Sequence, residues 1–168
     1  GESLAQQKKD TEAIALFEDA LKQDPKQAFA RARLGALYLS RKDFTKALPI
    51  LQDAAKASPE SFEATEAYLL ALIGVGKMQD ARTTVAEAAK RFPSNARLSY
   101  LKGNVEITLG KRKEAEAAWL SAVSADGTLV EPRLALAELY LKNKQIEAGR
   151  KQIEEAAALP GQRTDVLI

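Results

Sequence analysis

The chain has no cysteine and no histidine. Without thiols there is no thiolate nucleophile, no thiolate metal ligand and no disulfide. Without imidazole the usual metal ligand and the usual general base near neutral pH are both missing. No catalytic residue, metal site or cofactor is therefore assigned. The lack of cysteine is compatible with an oxidising compartment but does not point to one, because a helical domain of this size needs no disulfides. Long apolar runs are also missing. The longest, Tyr68-Leu69-Leu70-Ala71-Leu72-Ile73-Gly74-Val75-Gly76, stops at Lys77, well short of the roughly 20 residues needed to cross a bilayer, so no membrane insertion is expected. Gly1-Glu2-Ser3-Leu4 has neither the basic start nor the apolar stretch of a signal peptide. Charge of one sign is scarce too: 25 Lys and Arg stand against 23 Asp and Glu. So weak a summed field disfavours nucleic acid as a partner.

What is present is a period. Pro25, Pro59 and Pro93 lie 34 residues apart, each near the end of a helix-like stretch, where proline stops a helix without breaking its middle. Ala20, Ala54, Ala88, Ala122 and Ala156 keep the same spacing, as do Ala13, Ala47, Ala81, Ala115 and Gly149. A third series, Phe17, Leu51, Val85, Trp119 and Ile153, places a large apolar residue four positions after one small residue and three before the other. That is helical spacing. Small residues let two helices approach closely, and the bulky residue between them fills the gap toward the next pair.

A second helix precedes each of these. It is clearest in Ala32-Arg33-Leu34-Gly35-Ala36-Leu37-Tyr38 and in Leu134-Ala135-Leu136-Ala137-Glu138-Leu139-Tyr140, where Leu34 with Tyr38 and Leu136 with Tyr140 are i,i+4 pairs. Short polar segments at 40–43, 74–77, 109–112 and 142–144 connect the helices, and Gly or Asn is expected to supply the positive φ that a helix end often needs. Each unit reads as an antiparallel helix pair.

The 34-residue period, Leu34-Gly35 with Tyr38, Glu114-Ala115, Trp119, Ala122 and Pro59 together resemble the tetratricopeptide repeat family. The resemblance implies an all-α fold, a right-handed superhelical solenoid of antiparallel helix pairs. The phasing gives one array over 1–168: a partial unit 1–27, units 28–61, 62–95, 96–129 and 130–163, and the start of a further helix at 164–168. Departures fall mainly in the unit 96–129, where Lys102 and Glu106 replace Leu and Tyr and Gly127 replaces proline. A shifted register is expected there, with Leu98, Leu101, Val105 and Ile107 supplying the core. Leu69 replaces a small residue in the preceding unit. The array begins mid-unit and shows no polar capping helix, so the reading is of a piece of a longer array that self-associates through uncapped ends.

In this family the first helices line a concave groove where extended peptides or partner helices lie. The phasing then nominates Phe29, Arg33, Glu63, Glu66, Leu70, Arg97, Tyr100, Asn104, Glu131 and Glu138 as binding residues. The Lys, Asn and Arg clamp that some members use for a terminal carboxylate is not assembled, since Glu63 and Glu66 lie among its candidates. Trp119 falls in the bulky packing series and reads as core. Lys111-Arg112-Lys113 and Arg150-Lys151 read as solvated charge, and Gly74-Val75-Gly76 as a turn rather than a phosphate loop.

Three functions remain open. The first is a binding module for a protein or peptide. The second is a structural spacer in an assembly. The third is an accessory region of an enzyme or export machine. The alanine-rich, degenerate repeats also resemble long bacterial arrays that accompany polysaccharide or surface-protein export, which implies the periplasm or envelope ahead of the cytoplasm. The packing assignment is tested at one small position. Ala88→Leu is expected to lower stability by about 1–3 kcal/mol through overpacking, and an unchanged melting transition would sink the assignment.

Overall fold

The computed structural model describes residues 4–24 and 27–160. Among them are α1 (Leu4–Gln23), α2 (Ala28–Ser40), α3 (Phe44–Ala57), α4 (Phe62–Gly74), α5 (Met78–Arg91), α6 (Ala96–Thr108), α7 (Arg112–Ala125), α8 (Val130–Lys142) and α9 (Ile146–Ala157), with no strand. No helix among the described residues is long and apolar enough to cross a membrane. Pro25 and the nominated further helix at 164–168 lie outside the described residues. The chain forms two compact units, one up to Ala81 and one from Arg82, so that α5 carries the junction.

The helix starts keep the sequence period. α2, α4, α6 and α8 begin at 28, 62, 96 and 130, and α3, α5, α7 and α9 at 44, 78, 112 and 146. Side-chain caps define several of these starts. Ser61 accepts a hydrogen bond from the Ala64 amide at 3.2 Å, and Asn95 accepts one from the Leu98 amide at 2.9 Å. α1 is longer than its counterparts, running unbroken through 6–9, where the period alone would place a turn.

Each turn between the first and second helix of a pair has one construction. The Asp43, Lys77, Lys111 and Gln145 amides bond back to the Tyr38, Leu72, Glu106 and Tyr140 carbonyls, each at 2.9 Å. One residue before each donor the backbone is left-handed: φ is 59° at Lys42, 80° at Gly76, 77° at Gly110 and 60° at Lys144. This is a Schellman-type helix end. The expectation of Gly or Asn is therefore corrected at two turns. Asn143, with φ of −87°, ends the helix, and Lys144 takes the left-handed place.

The core of the first unit gathers Leu34, Tyr38, Ala47, Leu51 and Ala71, with Ile14, Phe17 and Leu48 packed on it. In the second unit Ala115, Trp119, Leu136 and Leu139 play this part, flanked by Tyr100, Val123 and Tyr140. The small series is buried from Ala47 onward through Ala81, Ala115 and Gly149. The bulky series is buried at Leu51, Val85 and Trp119, while Ile153 is 44% exposed. Trp119, at 4% exposure, is core as its position indicates.

α6 does not shift. It starts in phase, with Leu98, Leu101, Val105 and Gly103 buried, and Glu106 keeps the inward position that Tyr38 and Tyr140 hold in their helices. The reason is electrostatic. Tyr38 donates to Glu18 at 2.5 Å and Tyr140 to Glu116 at 2.9 Å. Glu106 instead accepts from Arg82 Nε at 2.9 Å, so the same reach to the helix before it is made with the charge reversed. Burial first and the facing carboxylate second push both phenols up to about 12.

The turn analysis gives a paired test by denaturant titration. Lys42→Gly and Lys144→Gly are each expected to stabilise the chain by about 0.5–1 kcal/mol, because glycine removes the left-handed penalty. Gly76→Ala is expected to destabilise it by about 1 kcal/mol, since nothing lies within 4 Å of the new Cβ and only the backbone conformation is at stake.

Candidate interaction grooves

In the second unit α6 and α8 border a groove of about 800 Å³. Its floor includes Trp119, Ile107 and Leu139, and its walls carry Tyr100, Asn104, Glu131, Leu134, Glu138 and Lys142. The 34-residue offset sets this up. Arg97 on α6 stands one repeat before Glu131 on α8, and Arg97 Nη1 donates to Glu131 Oε1 at 2.8 Å. The Arg97 guanidinium also lies 5.3 Å from the centre of the Tyr100 ring, a cation–π arrangement. Glu131 sits in the first turn of α8, where its own backbone amide, and then Arg97, hold its carboxyl below the ordinary value. Glu138 is paired with Lys142 at 2.5 Å on the exposed side of α8. Trp119 Nε1 donates to Asn104 Oδ1 at 3.1 Å.

Four of the five residues nominated in this unit line the groove: Tyr100, Asn104, Glu131 and Glu138. Arg97 stands beside it, through its bond to Glu131. The nomination missed Leu134, which is 49% exposed in the groove wall. The signal was available, because Leu134 is one repeat after Tyr100. Arg112 at the start of α7, Lys142 at the end of α8 and Asn143 just after it also line the groove.

The first unit has a smaller groove of about 420 Å³ bordered by α2, α3 and α4, with Ala32, Ala36, Leu51, Glu63, Ala64 and Ala67 among its lining. Of the residues nominated here only Glu63 lines it. Ser61 Oγ donates to Glu63 at 3.0 Å, and the Glu63 backbone amide first and Ser61 second keep its carboxyl below the ordinary range. Phe29 and Arg33 stand outside this lining. Phe29 is 63% exposed and packs edge-on to Phe17 of α1, with ring centres 6.2 Å apart, while Arg33 lies 5.3 Å from the Phe29 ring centre. Glu66 and Leu70, both half-buried, do not line it either.

Antiparallel helix pairs on a fixed period, with small residues at the contacts and grooves between the first helices, define a helical-repeat protein of the solenoid class. The profile of the tetratricopeptide repeat matches residues 4–68 and 38–105, and the chain belongs to that family. Solved structures share the fold. A thermophilic tetratricopeptide-repeat protein of Thermus thermophilus aligns at 24% identity over 95% of this chain and 88% of its own, with a TM-score of 0.77. MamA from Desulfovibrio magneticus aligns at 14% identity over 96% of this chain and 91% of its own, with a TM-score of 0.78. The Cut9–Hcn1 hetero-tetramer of the APC/C contains a chain that aligns at 15% identity and a TM-score of 0.78, over 93% of this chain but only 30% of its own. Tetratricopeptide repeats generally mediate protein–protein interactions.

The packing beneath the larger groove is checked by a double substitution. A Cβ on Gly103 would lie 2.2 Å from Trp119 Nε1, so Gly103→Ala is expected to cost at least about 1–3 kcal/mol. One repeat later the same two positions hold Ala137 and Ile153. Trp119→Ile should therefore lessen the cost of Gly103→Ala in a thermodynamic cycle, and strict additivity would count against the contact.

Proposed function

We propose that this chain is a non-catalytic binding module that holds a segment of a partner protein in the groove between α6 and α8. The observation that carries the reading is the make-up of that groove, an apolar floor of Trp119, Ile107 and Leu139 beneath a rim of hydrogen-bonding side chains. Its volume of about 800 Å³ is in the usual range for ligand sites, about 300–1,000 Å³. The rim charges are largely matched within the site, Arg97 with Glu131 and Lys142 with Glu138. Such a surface offers apolar area and directed hydrogen bonds rather than a net field, which suits a protein segment and not a polyanion. The same pairing leaves no acid–base couple poised for chemistry. Family membership supports the reading.

The test is selection of capped nonapeptides from a random display library on the unmodified protein, followed by titration against Leu134→Arg. Leu134 is half exposed, so the substitution should leave the melting transition in place. Binding at least about tenfold weaker is expected, as a buried cation in an apolar site loses well over 1.4 kcal/mol. Equal affinity for both proteins would move the function to the outer faces and favour a spacer role in an assembly.

A further inference from the structure

We infer that Arg112, with Lys111 and Lys113 beside it, sets the direction of the bound segment by pairing with an acidic side chain at the end of the groove formed by the last turns of α6 and α8. The inference rests on the groove reading above and names the partner's chemistry at one point. Thr108 and Lys142 close α6 and α8, Gly110 and Asn143 lie in the turns that follow, and Arg112 opens α7; all of them line the groove. They mark one end of it. Glu131, in the first turn of α8, belongs to the other.

The two ends differ in charge balance. The charged side chains in the lining are Arg112, Glu131, Glu138 and Lys142. Glu131 takes Arg97, and Glu138 takes Lys142. Arg112 is exposed and has no acidic partner among the described residues, and neither have Lys111 and Lys113.

Nothing in the fold asks for cations at this place. The N-terminal end of a helix carries partial positive charge and favours acids. Glu114 is in the first turn of α7, but Lys111, Arg112 and Lys113 stand ahead of it. The period does not call for them either, because the corresponding triplets are Asp43-Phe44-Thr45, Lys77-Met78-Gln79 and Gln145-Ile146-Glu147. Charge kept only for solubility could sit anywhere on the surface. This run opposes the helix dipole and adjoins an apolar floor.

A polyanion does not fit the arrangement, since further along it would meet the Glu131 carboxylate. What fits is a protein segment with Asp or Glu over the α6–α7 turn and apolar or neutral residues over Trp119, Ile107 and Leu139. A guanidinium can hold a carboxylate through two parallel N–H···O bonds. A segment lying the opposite way would forfeit that contact.

The test uses the capped nonapeptides selected on the unmodified protein, whose only carboxylates are side chains. The selected sequences are expected to share Asp or Glu at one end, and their affinity to fall as salt is added. Arg112→Gln should weaken binding about tenfold, the range for one charge-assisted hydrogen-bonded pair. Replacing the peptide's acid by its amide should do the same, and combining the two should cost little more. A spin label at the acidic end of the peptide should broaden the amide signals of Thr108 and Asn143 rather than those of Tyr100 and Glu131. The denaturant midpoint of Arg112→Gln should hold or rise, because a cation leaves the positive end of α7; a lowered midpoint would assign Arg112 to the fold and overturn the inference. Peptides that perturb Tyr100 and Leu134 yet share no acid, or bind Arg112→Gln as tightly as the unmodified protein, would overturn it and leave the groove reading standing. Phosphatidylserine vesicles that capture the protein through Arg112 while the peptides ignore that residue would overturn it in favour of a lipid surface. Failure to select any peptide, or peptides that perturb nothing in the groove, would overturn both readings.

Discussion

The distance between the two helices of a pair is set by the smallest side chains on them, and most of this molecule follows from that distance. Ala47, Ala81 and Ala115 have no exposed surface, and at Gly149 even a methyl group would meet Leu141 at 2.8 Å and the Ala137 carbonyl at 3.3 Å. Close approach on one side creates a hollow for a large residue on the other, as where Gly35 faces Leu51 and Gly103 faces Trp119. The interior is filled by pairing small with large, as close-packed cores require. The indole that reaches Asn104 is one product of that pairing, so the candidate binding groove is built on the same constraint as the core.

Where sequence was enough, a periodic demand acted on side-chain size. Helix order, the 34-residue offset and the buried status of Trp119 were legible because a hairpin contact tolerates little but Ala or Gly. Polar positions followed a different logic. Glu106 looked like a break in register because a lone acid in a core position is costly, and its partner Arg82 stands 24 residues away on another helix. Lys42 and Lys144 were unreadable as left-handed residues because their side chains carry no mark of it, and the hydrogen bonds that impose the conformation are made by the backbone. At the larger groove the phase brings Tyr100, Asn104, Glu131 and Glu138 together in one lining. It carried no mark of the edge-on contact between Phe29 and Phe17.

The two grooves overlap in part of the repeat and differ in chemistry there. Where the second unit has Tyr100, Asn104 and Trp119, the first has Ala32, Ala36 and Leu51, and Glu63 stands for Glu131. The first is lined largely by methyl groups and the second by hydrogen-bonding groups over an aromatic floor. A common backbone period thus carries distinct surfaces, which is how one architecture serves many partners.

The contact between Glu106 and Arg82 also bears on how such a chain can change over generations. Repeat arrays grow by copying units, and a unit is portable only if it meets its new neighbour on familiar terms. Those built around Tyr38 and Tyr140 ask the preceding helix for a carboxylate, in Glu18 and Glu116. The 96–129 unit asks for a cation, and its Glu106 side chain is 5% exposed. Inserted behind a helix that offers Glu, it would face like charge beside a buried carboxylate, which destabilises the contact. Duplication is therefore restricted to segments that carry the Arg82 helix along, so the transferable piece at this point in the array is larger than the repeat.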